Sequence, residues 1–515
     1  MAVMAAIGID YGTSNSEVVY FDGHQHHFVK LDPSLEAANK IRSSVFIYYN
    51  EELPTPPISM IEAKISQLKR AISDKIDKAK DGYYDASEPR EQRIHSERIN
   101  ELRAEFHDVP ALQERAIELL LENMTVQDLP LQQLVETGEF AFGEEGFRRY
   151  LKTPEKGRLI YSPKNFLGAN LVAGQHQAFV GLIAKQLEFF RLSAEQQLEQ
   201  SVDTAVIGRP VRFHGTRGQD GNNQAIDIMT QAANMAGFTK VEFLEEPIAA
   251  AYKIERTLDK HTNVLVVDIG GGTTDICCIK LSPEKLANVD RQQDVMSVTG
   301  TRLGGMECDK NLIIKSIAPT MGQGLLMYNG LPVPPAYFSD MCAVDDIPKL
   351  NRFFSDEYWL DIANTKSLVK EPKLLERLLE VQEEKLSARL VNSSRLAKEL
   401  LSSKDEIILP LHYIEEDYDV KLNVEELKRS MQSWLARVKS LVTECLENSS
   451  EPPEMLFITG GMSLSPIVKK ELLDMLPGLP LMEGDAFNSV CEGLGIQAAK
   501  LSNNKQPNNK QPNNK

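Results

Sequence analysis

The sequence predicts an α/β fold with mixed sheets, and three observations carry that reading. Short apolar runs alternate with stretches whose apolar residues recur three or four apart, the spacing of a helix face. The chain has 515 residues, 42% hydrophobic and 25% charged, enough for two or more domains with sizeable cores. One local pattern, an apolar run, a Gly/Thr turn and a second apolar run, is written twice. It surrounds Asp10-Tyr-Gly-Thr-Ser-Asn15, between residues 4–9 and 18–21, and Asp268-Ile-Gly-Gly-Gly-Thr-Thr-Asp275, between residues 264–267 and 276–279.

Each copy reads as strand, tight turn, strand. A turn of Gly and Thr exposes backbone N–H groups where no Cβ blocks close approach, with hydroxyls beside them. Such a nest holds phosphate oxygens. A carboxylate ending the incoming strand, Asp10 or Asp268, either caps its turn or holds a hydrated Mg²⁺ against those phosphates; the paired loops favour the metal. Two loops of this kind predict a nucleotide gripped from both sides.

Bulk composition narrows the partners. Against 57 Lys and Arg stand 74 Asp and Glu, a net charge of −17, and no basic stripe interleaves with aromatics. Nucleic acid is therefore not expected as a partner; the acidity reads as a solvated surface. Cysteines 277, 278, 308, 342, 445 and 491 form no C-x-x-C pair and no Cys/His metal spacing, so they are expected as reduced, buried thiols. Cys277 and Cys278, adjacent in one strand, point to opposite faces. The N-terminal residues show no basic region or long apolar core, so a leader is not expected, and no apolar stretch approaches membrane-spanning length. The expected location is cytoplasmic, with no membrane partner.

Along the chain, residues 18–21, 27–31 and 44–48 are strand-like. After Pro54, Pro56 and Pro57, Ile61, Ile65, Leu68, Ile72 and Ile76 lie on one helical stripe, interrupted at Asp81-Gly82. A second helix carries Ile94, Leu102 and Phe106, and a third follows Pro110. Residues 58–124 thus form a helical insertion, either a lid packed on the main fold or an arm for a partner. A strand-like segment, Leu159-Ile160-Tyr161-Ser-Pro-Lys164, precedes a helix near 175–199. Strands at 204–207 and 241–243 flank a helix at 222–236, and Glu245-Glu246-Pro247 opens a helix of small residues. Beyond the second turn, helix and strand are expected to alternate to Pro410, with helices near 371–401 and 424–448. Residues 455–459 form a strand entering Gly460-Gly461, and the last helix is 488–501. The Asn/Lys/Gln/Pro repeat to Lys515 contains no apolar residue and is expected to be disordered.

These motifs carry a family resemblance. Ile7-Gly-Ile-Asp10-Tyr-Gly12-Thr13-Ser14-Asn15-Ser16 and Val267-Asp268-Ile-Gly270-Gly271-Gly272-Thr273-Thr-Asp275 resemble the two phosphate motifs of the Hsp70 branch of the actin/Hsp70/sugar-kinase superfamily. Glu245-Glu246-Pro247 resembles its connecting segment, and Leu303-Gly304-Gly305 its following turn. Ile458-Thr-Gly460-Gly461-Met-Ser463 resembles its adenosine motif. The motifs run in the family's order to about residue 500. Ser162-Pro163-Lys164 and Gly208-Arg209-Pro210 are similar to the YegD-like group, which resembles an Hsp70 ATPase domain standing alone.

The resemblance implies a two-lobed actin/Hsp70-like ATPase fold of duplicated ribonuclease-H-like domains. The first lobe would be 1–258 with the helical insertion, the second 259–486. Residues 487–502 would be a C-terminal helix returning to the first lobe, and 503–515 the tail. It implies ATP or ADP with Mg²⁺ in the cleft. Asp10 and Asp268 would hold the metal's water shell, and Gly12, Thr13, Ser14 and the amides of Gly270, Gly271, Gly272 and Thr273 the phosphates. Lys164 would neutralise γ-phosphate charge, Glu246 would orient or deprotonate the attacking water, and Asp268 would serve catalysis through the metal. Lys398, Ser402, Gly460, Gly461 and Ser463 would flank the nucleoside.

Two departures qualify the function that follows. Where the family clamps adenine between arginines and binds ribose through a Glu, this chain has Glu399, Leu464 and Arg395. Stacking of a guanidinium on a base is worth ~1–2 kcal/mol, so losing both arginines weakens ATP binding by roughly ten- to a thousandfold. Arg395 and Glu399, four apart on a helix, are expected to pair. The family's peptide-holding β-sandwich has no counterpart after the last helix, so client binding within the same chain is not expected. The expected function is a chaperone-like, Mg-dependent ATPase whose lobe motion acts on a protein partner. The alternatives are a pseudo-ATPase interaction scaffold with altered nucleotide preference, a small-molecule kinase, and, less favoured, a filament-forming protein.

Overall fold

A computed structural model describes residues 5–32, 39–50, 53–213, 217–482 and 488–503. The expected tail from residue 504 onward, and the expected lobe boundary at 486, lie outside the described residues.

The first Gly/Thr hairpin joins β1 (Ala5–Asp10) to β2 (Asn15–Phe21), with β3 (His26–Phe28) and β4 (Lys40–Arg42) pairing on β2. A separate three-stranded sheet is built from β5 (Val45–Tyr48), β6 (Glu139–Phe142) and β7 (Gly157–Ile160). β8 (Val202–Arg209) and β9 (Lys240–Glu245) complete the first sheet, in the order β3-β2-β1-β8-β9, with β8 parallel to β1.

The second hairpin joins β10 (Thr262–Ile269) to β11 (Thr274–Leu281), followed by β12 (Val295–Thr301). A two-stranded ribbon of β13 (Glu406–Pro410) and β14 (Asp419–Asn423) stands apart. β15 (Met455–Thr459) and β16 (Leu481–Met482) finish a sheet ordered β12-β11-β10-β15-β16, with β15 parallel to β10. The two sheets share one plan: three consecutive antiparallel strands extended by two parallel ones. This is the two-lobed α/β architecture the sequence predicts. β10 is buried along its whole length, as its run Val264-Leu-Val-Val267 requires of a strand covered on both faces. Cys277 and Cys278 do face opposite cores, and all six cysteines are buried and unbridged.

Two helices tie the sheets together. The helix Glu246–Glu255 follows β9 of the first sheet yet packs on β10 and β11 of the second. The last helix, Ser489–Asn503, packs on β1, β2 and β8 and crosses the first helix. Their shared core holds Ala249, Ala250, Ala251, Val266, Cys277, Phe457 and Leu494. The crossing leaves no room for side chains: a Cβ on Gly493 would lie 1.7 Å from the Ala249 carbonyl oxygen, and one on Gly8 2.4 Å from the Gly495 nitrogen.

Three helices, Ile58–Asp85, Pro89–His107 and Val109–Asn123, make up the insertion. The first runs through Asp81-Gly82 without a break. Gly82 marks a helix crossing instead, because a Cβ there would stand 2.5 Å from the His95 ring. Ile72, Ile76, Leu102 and Leu112 form a small core of the bundle's own. Met60 and Met124, at its two ends, join the core of the first sheet.

Two other expectations are corrected. Residues 305–400 do not alternate with strands; among the described residues they are helical segments and turns, with isolated bridges at Leu326–Pro332 and Met327–Val369. The helix expected at 371–401 is two helices, Pro372–Glu383 and Ser387–Leu400, parted at Lys385, whose φ is +52°. Among the described residues no helix is long and apolar enough to cross a membrane.

If the crossing of the two shared helices sets the fold, Gly493→Ala should destabilise the chain by about 1–3 kcal/mol or more. Urea unfolding measures this, and an unchanged midpoint would refute the contact.

Candidate functional site

The two Gly/Thr turns meet tip to tip. A Cβ on Gly271 would come within 1.9 Å of Ser14 Oγ, and one on Gly272 within 2.5 Å of Thr13 Cγ2. Both turns are internally braced. The Gly270 N–H donates to the Thr273 carbonyl at 3.0 Å, and Ser162 Oγ donates to the Thr13 carbonyl at 2.9 Å. Thr13 and Thr273 are buried. Asp10 ends β1 beside the first turn. Asp268, one residue from the end of β10, lies level with Thr459 of β15.

Lys164 stands in a short 3₁₀ turn after β7, and Glu246 is the first residue of the crossover helix. Their side chains form an ion pair that is almost wholly buried. Burial opposes the charge on Lys164, but Glu246 and Asp10 beside it raise its pKa above the ordinary lysine value. The carboxyls show the reverse strain. Burial, together with the charge of Glu246, pushes Asp10 and Asp275 up to about 7 and Asp268 well above its ordinary value. Four carboxylates therefore crowd one ammonium.

That imbalance fits a group bringing positive charge. Among the described residues no three His, Cys, Asp or Glu side chains converge as direct metal ligands, so an ion here would be held through its water shell. The cradle fits phosphate as well, since Gly271 and Gly272 sit where any side chain would collide with the opposing turn.

The residues expected to flank a nucleoside are assembled differently. The Leu303-Gly-Gly turn docks under the second Gly/Thr turn, with Gly305 N–H and Met306 N–H donating to the Gly270 and Gly271 carbonyls at 3.0 and 2.7 Å. Gly460, at φ +80°, abuts Asp268: a Cβ there would lie 2.6 Å from Asp268 Oδ1 and 2.4 Å from the Ile269 carbonyl oxygen. Gly461, itself exposed, opens the short turn that follows, in which Met462 and Ser463 are buried. Ser463 Oγ is buried without a hydrogen-bond partner. Lys398 is paired with Asp309 at 2.7 Å and donates to the Gly305 carbonyl at 3.1 Å. Ser402 is turned away from this group, its hydroxyl donating to the Lys398 carbonyl of its own helix. Arg395 pairs with Glu399 at 2.5 Å, and Leu464 is half exposed.

Sequence reasoning missed two neighbours. Asn165 is buried, and its Oδ1 faces Gly272 at 2.8 Å from an added Cβ; only its place beside Lys164 hinted at this. Asp309 supplies the partner of Lys398, and its signal was its position in the Leu-Gly-Gly segment.

With this geometry in place, similarity to known proteins adds the family context. The family model described as Hsp70 protein matches residues 170–321. Chaperone protein DnaK of Thermosipho africanus (strain TCF52B) is 26% identical over 388 residues, covering 72% of this chain and 53% of that protein. Chaperone protein DnaK of Endomicrobium trichonymphae is 25% identical over 382 residues, covering 71% and 50% respectively. Chaperone protein DnaK of Ureaplasma urealyticum serovar 10 is 34% identical over 141 residues, 26% of this chain and 21% of that protein. The chain spans about half the length of the first two relatives. These matches support an Hsp70-like assignment, and the architecture is that of the two-lobed actin/Hsp70-like ATPase fold.

The raised carboxyls set a pH dependence. Asp10 and Asp275 bind their protons more tightly in the folded chain, near pH 7, than at the ordinary 3.8 of an unfolded one. Stability of the metal-free protein should therefore fall as pH rises from about 4 to about 7. Urea midpoints in EDTA measure the slope, and Asp275→Asn should flatten it; equal slopes would discard the cause assigned here.

Proposed function

We propose that this chain is an Hsp70-like nucleotide-binding protein that binds and hydrolyses ATP with Mg²⁺, and that the resulting lobe motion acts on a protein partner. One observation carries the proposal: twin Gly/Thr turns converge beside a buried Lys164–Glu246 pair. Phosphoryl transfer depends on positioning and charge neutralisation more than on covalent chemistry, and those are the parts present. Gly12, Thr13, Ser14 and the amides from Gly270 to Thr273 hold phosphate oxygens. Lys164 neutralises charge on the terminal phosphoryl group. Glu246, paired with Lys164, accepts a hydrogen bond from the attacking water and orients it. Hydrated Mg²⁺, when bound at Asp10 and Asp268, supplies the countercharge that both phosphates and carboxylates lack. Lys398, Gly460, Gly461 and Ser463 line the nucleoside side, and Ser402 reaches it after a rotamer change.

In this reading the lobes are residues 1–258, with the insertion at 58–124, and 259–486. Residues 487–502 return to the first lobe, and the kinship is closest to the YegD-like stand-alone group. The partner is a protein reached by the moving lobes, in the cytoplasm.

A second reading, a pseudo-ATPase with altered base preference, draws on the nucleoside half. Arg395 and Glu399 satisfy one another, and Leu464 offers no cation to a base.

Lys164→Ala should lower phosphate release by about a hundredfold or more, with ATP binding retained in calorimetry; unchanged turnover would remove the catalytic assignment. Calorimetry with ATP, GTP and inorganic triphosphate, each with and without Mg²⁺, separates the two readings. Tightest binding by ATP plus turnover supports the ATPase, whereas equal binding of all three without turnover supports the scaffold.

A further inference from the structure

A cavity of about 660 Å³ lies between the two lobes, away from the paired turns. Neither Asp10, Lys164, Glu246 nor Asp268 lines it. One wall comes from the first lobe, with Tyr161, Phe166 and Arg158; the facing wall comes from the second, with Leu350, Phe354 and the Lys385–Ala388 turn. Its size is that of a pocket for a small organic molecule.

The walls are largely apolar, yet one end is not. The helix Ser387–Leu400 begins there, 14 residues long and without a side-chain cap on its first amides. Such a helix start carries partial positive charge and N–H donors seeking an acceptor. Ser387 is 1% exposed, and its hydroxyl, on the cavity wall, has no hydrogen-bond partner. A buried hydroxyl left unpaired is costly and calls for a ligand.

Two cations flank this end. Lys385 is half-buried on the wall, holds a left-handed backbone at φ +52°, and forms no ion pair among the described residues. Burial, and the nearby Arg158 charge, hold its ammonium below the ordinary lysine value against the pull of Asp128. Arg158 donates to the Val126 and Leu129 carbonyls at 3.3 and 2.9 Å. Asp128 is the acid on the wall. It is exposed and already accepts from the Thr125 N–H and hydroxyl at 2.7 and 2.8 Å. The rim is latched across the lobes by Tyr150 Oη donating to the Lys385 carbonyl at 2.8 Å.

We propose that this inter-lobe cavity is a second binding site, for an amphipathic organic anion. Its carboxylate or phosphate head sits at the start of the Ser387–Leu400 helix, between Ser387, Lys385 and Arg158. Its apolar body lies among Leu350, Phe354, Tyr161 and Phe166. Because both lobes contribute walls, occupancy is linked to how the lobes sit.

The test is calorimetry on the full chain without nucleotide, with octanoate, octyl phosphate and 1-octanol as probes. Saturable binding of one equivalent of either anion, at least tenfold tighter than octanol, supports the site, and the tighter anion identifies the head group. Lys385→Gln and Ser387→Ala should each weaken that anion at least fivefold, with unchanged melting temperatures confirming folded variants. Hydrogen exchange should show anion-dependent protection over residues 385–390. Lys164→Ala should leave the affinity unchanged, which separates this site from the nucleotide reading. Binding of octanol as tight as the anions, no binding of either anion, or an unaltered affinity in both cavity variants would overturn the proposal.

Discussion

The rest of the structure depends on two helices whose point of closest approach admits no side chain. Gly493 lies against the Ala249 carbonyl, and each helix issues from one sheet to cover the other or its neighbour. Glycine and alanine are required there because a larger group would pry the sheets apart. With that contact in place, β1 and β10 carry their hairpin tips toward each other. The first residue of one of these helices is Glu246, so the buried ion pair is fixed by the same contact that fixes the fold.

The electrostatics of the cleft follow from that placement. A carboxylate beside other carboxylates in a dry site resists ionisation, and a single lysine does not balance Asp10, Glu246, Asp268 and Asp275. A polyphosphate alone would worsen this imbalance, and a cation alone would leave the donor-lined turns unused. Together they satisfy both halves. The proposed nucleotide with its Mg²⁺ would bring both.

Much of this was legible because it is local. Asp10 and Asp268 announce themselves through Gly/Thr turns with apolar flanks, and the helix after Glu246-Pro247 through its run of alanines. Arg395 and Glu399 pair as their spacing required. What escaped was whatever depends on a distant partner. Asn165 acquires meaning only from Gly272 across the cleft, and Gly82 looked like a break because His95, which it admits, is thirteen residues away. Strands were expected after residue 305 because short apolar runs between Gly and Pro suit a strand or a buried helix equally. Lys385 gave no warning, since no glycine marks its left-handed turn.

The insertion has a mechanical consequence. Its first helix has 28 residues, a rod of about 42 Å, and the bundle enters and leaves through Met60 and Met124 in a single core. Rooted on one body, it has the geometry of a lever: a tilt of about ten degrees at the root would sweep the far end, near the exposed Tyr84, through roughly 7 Å.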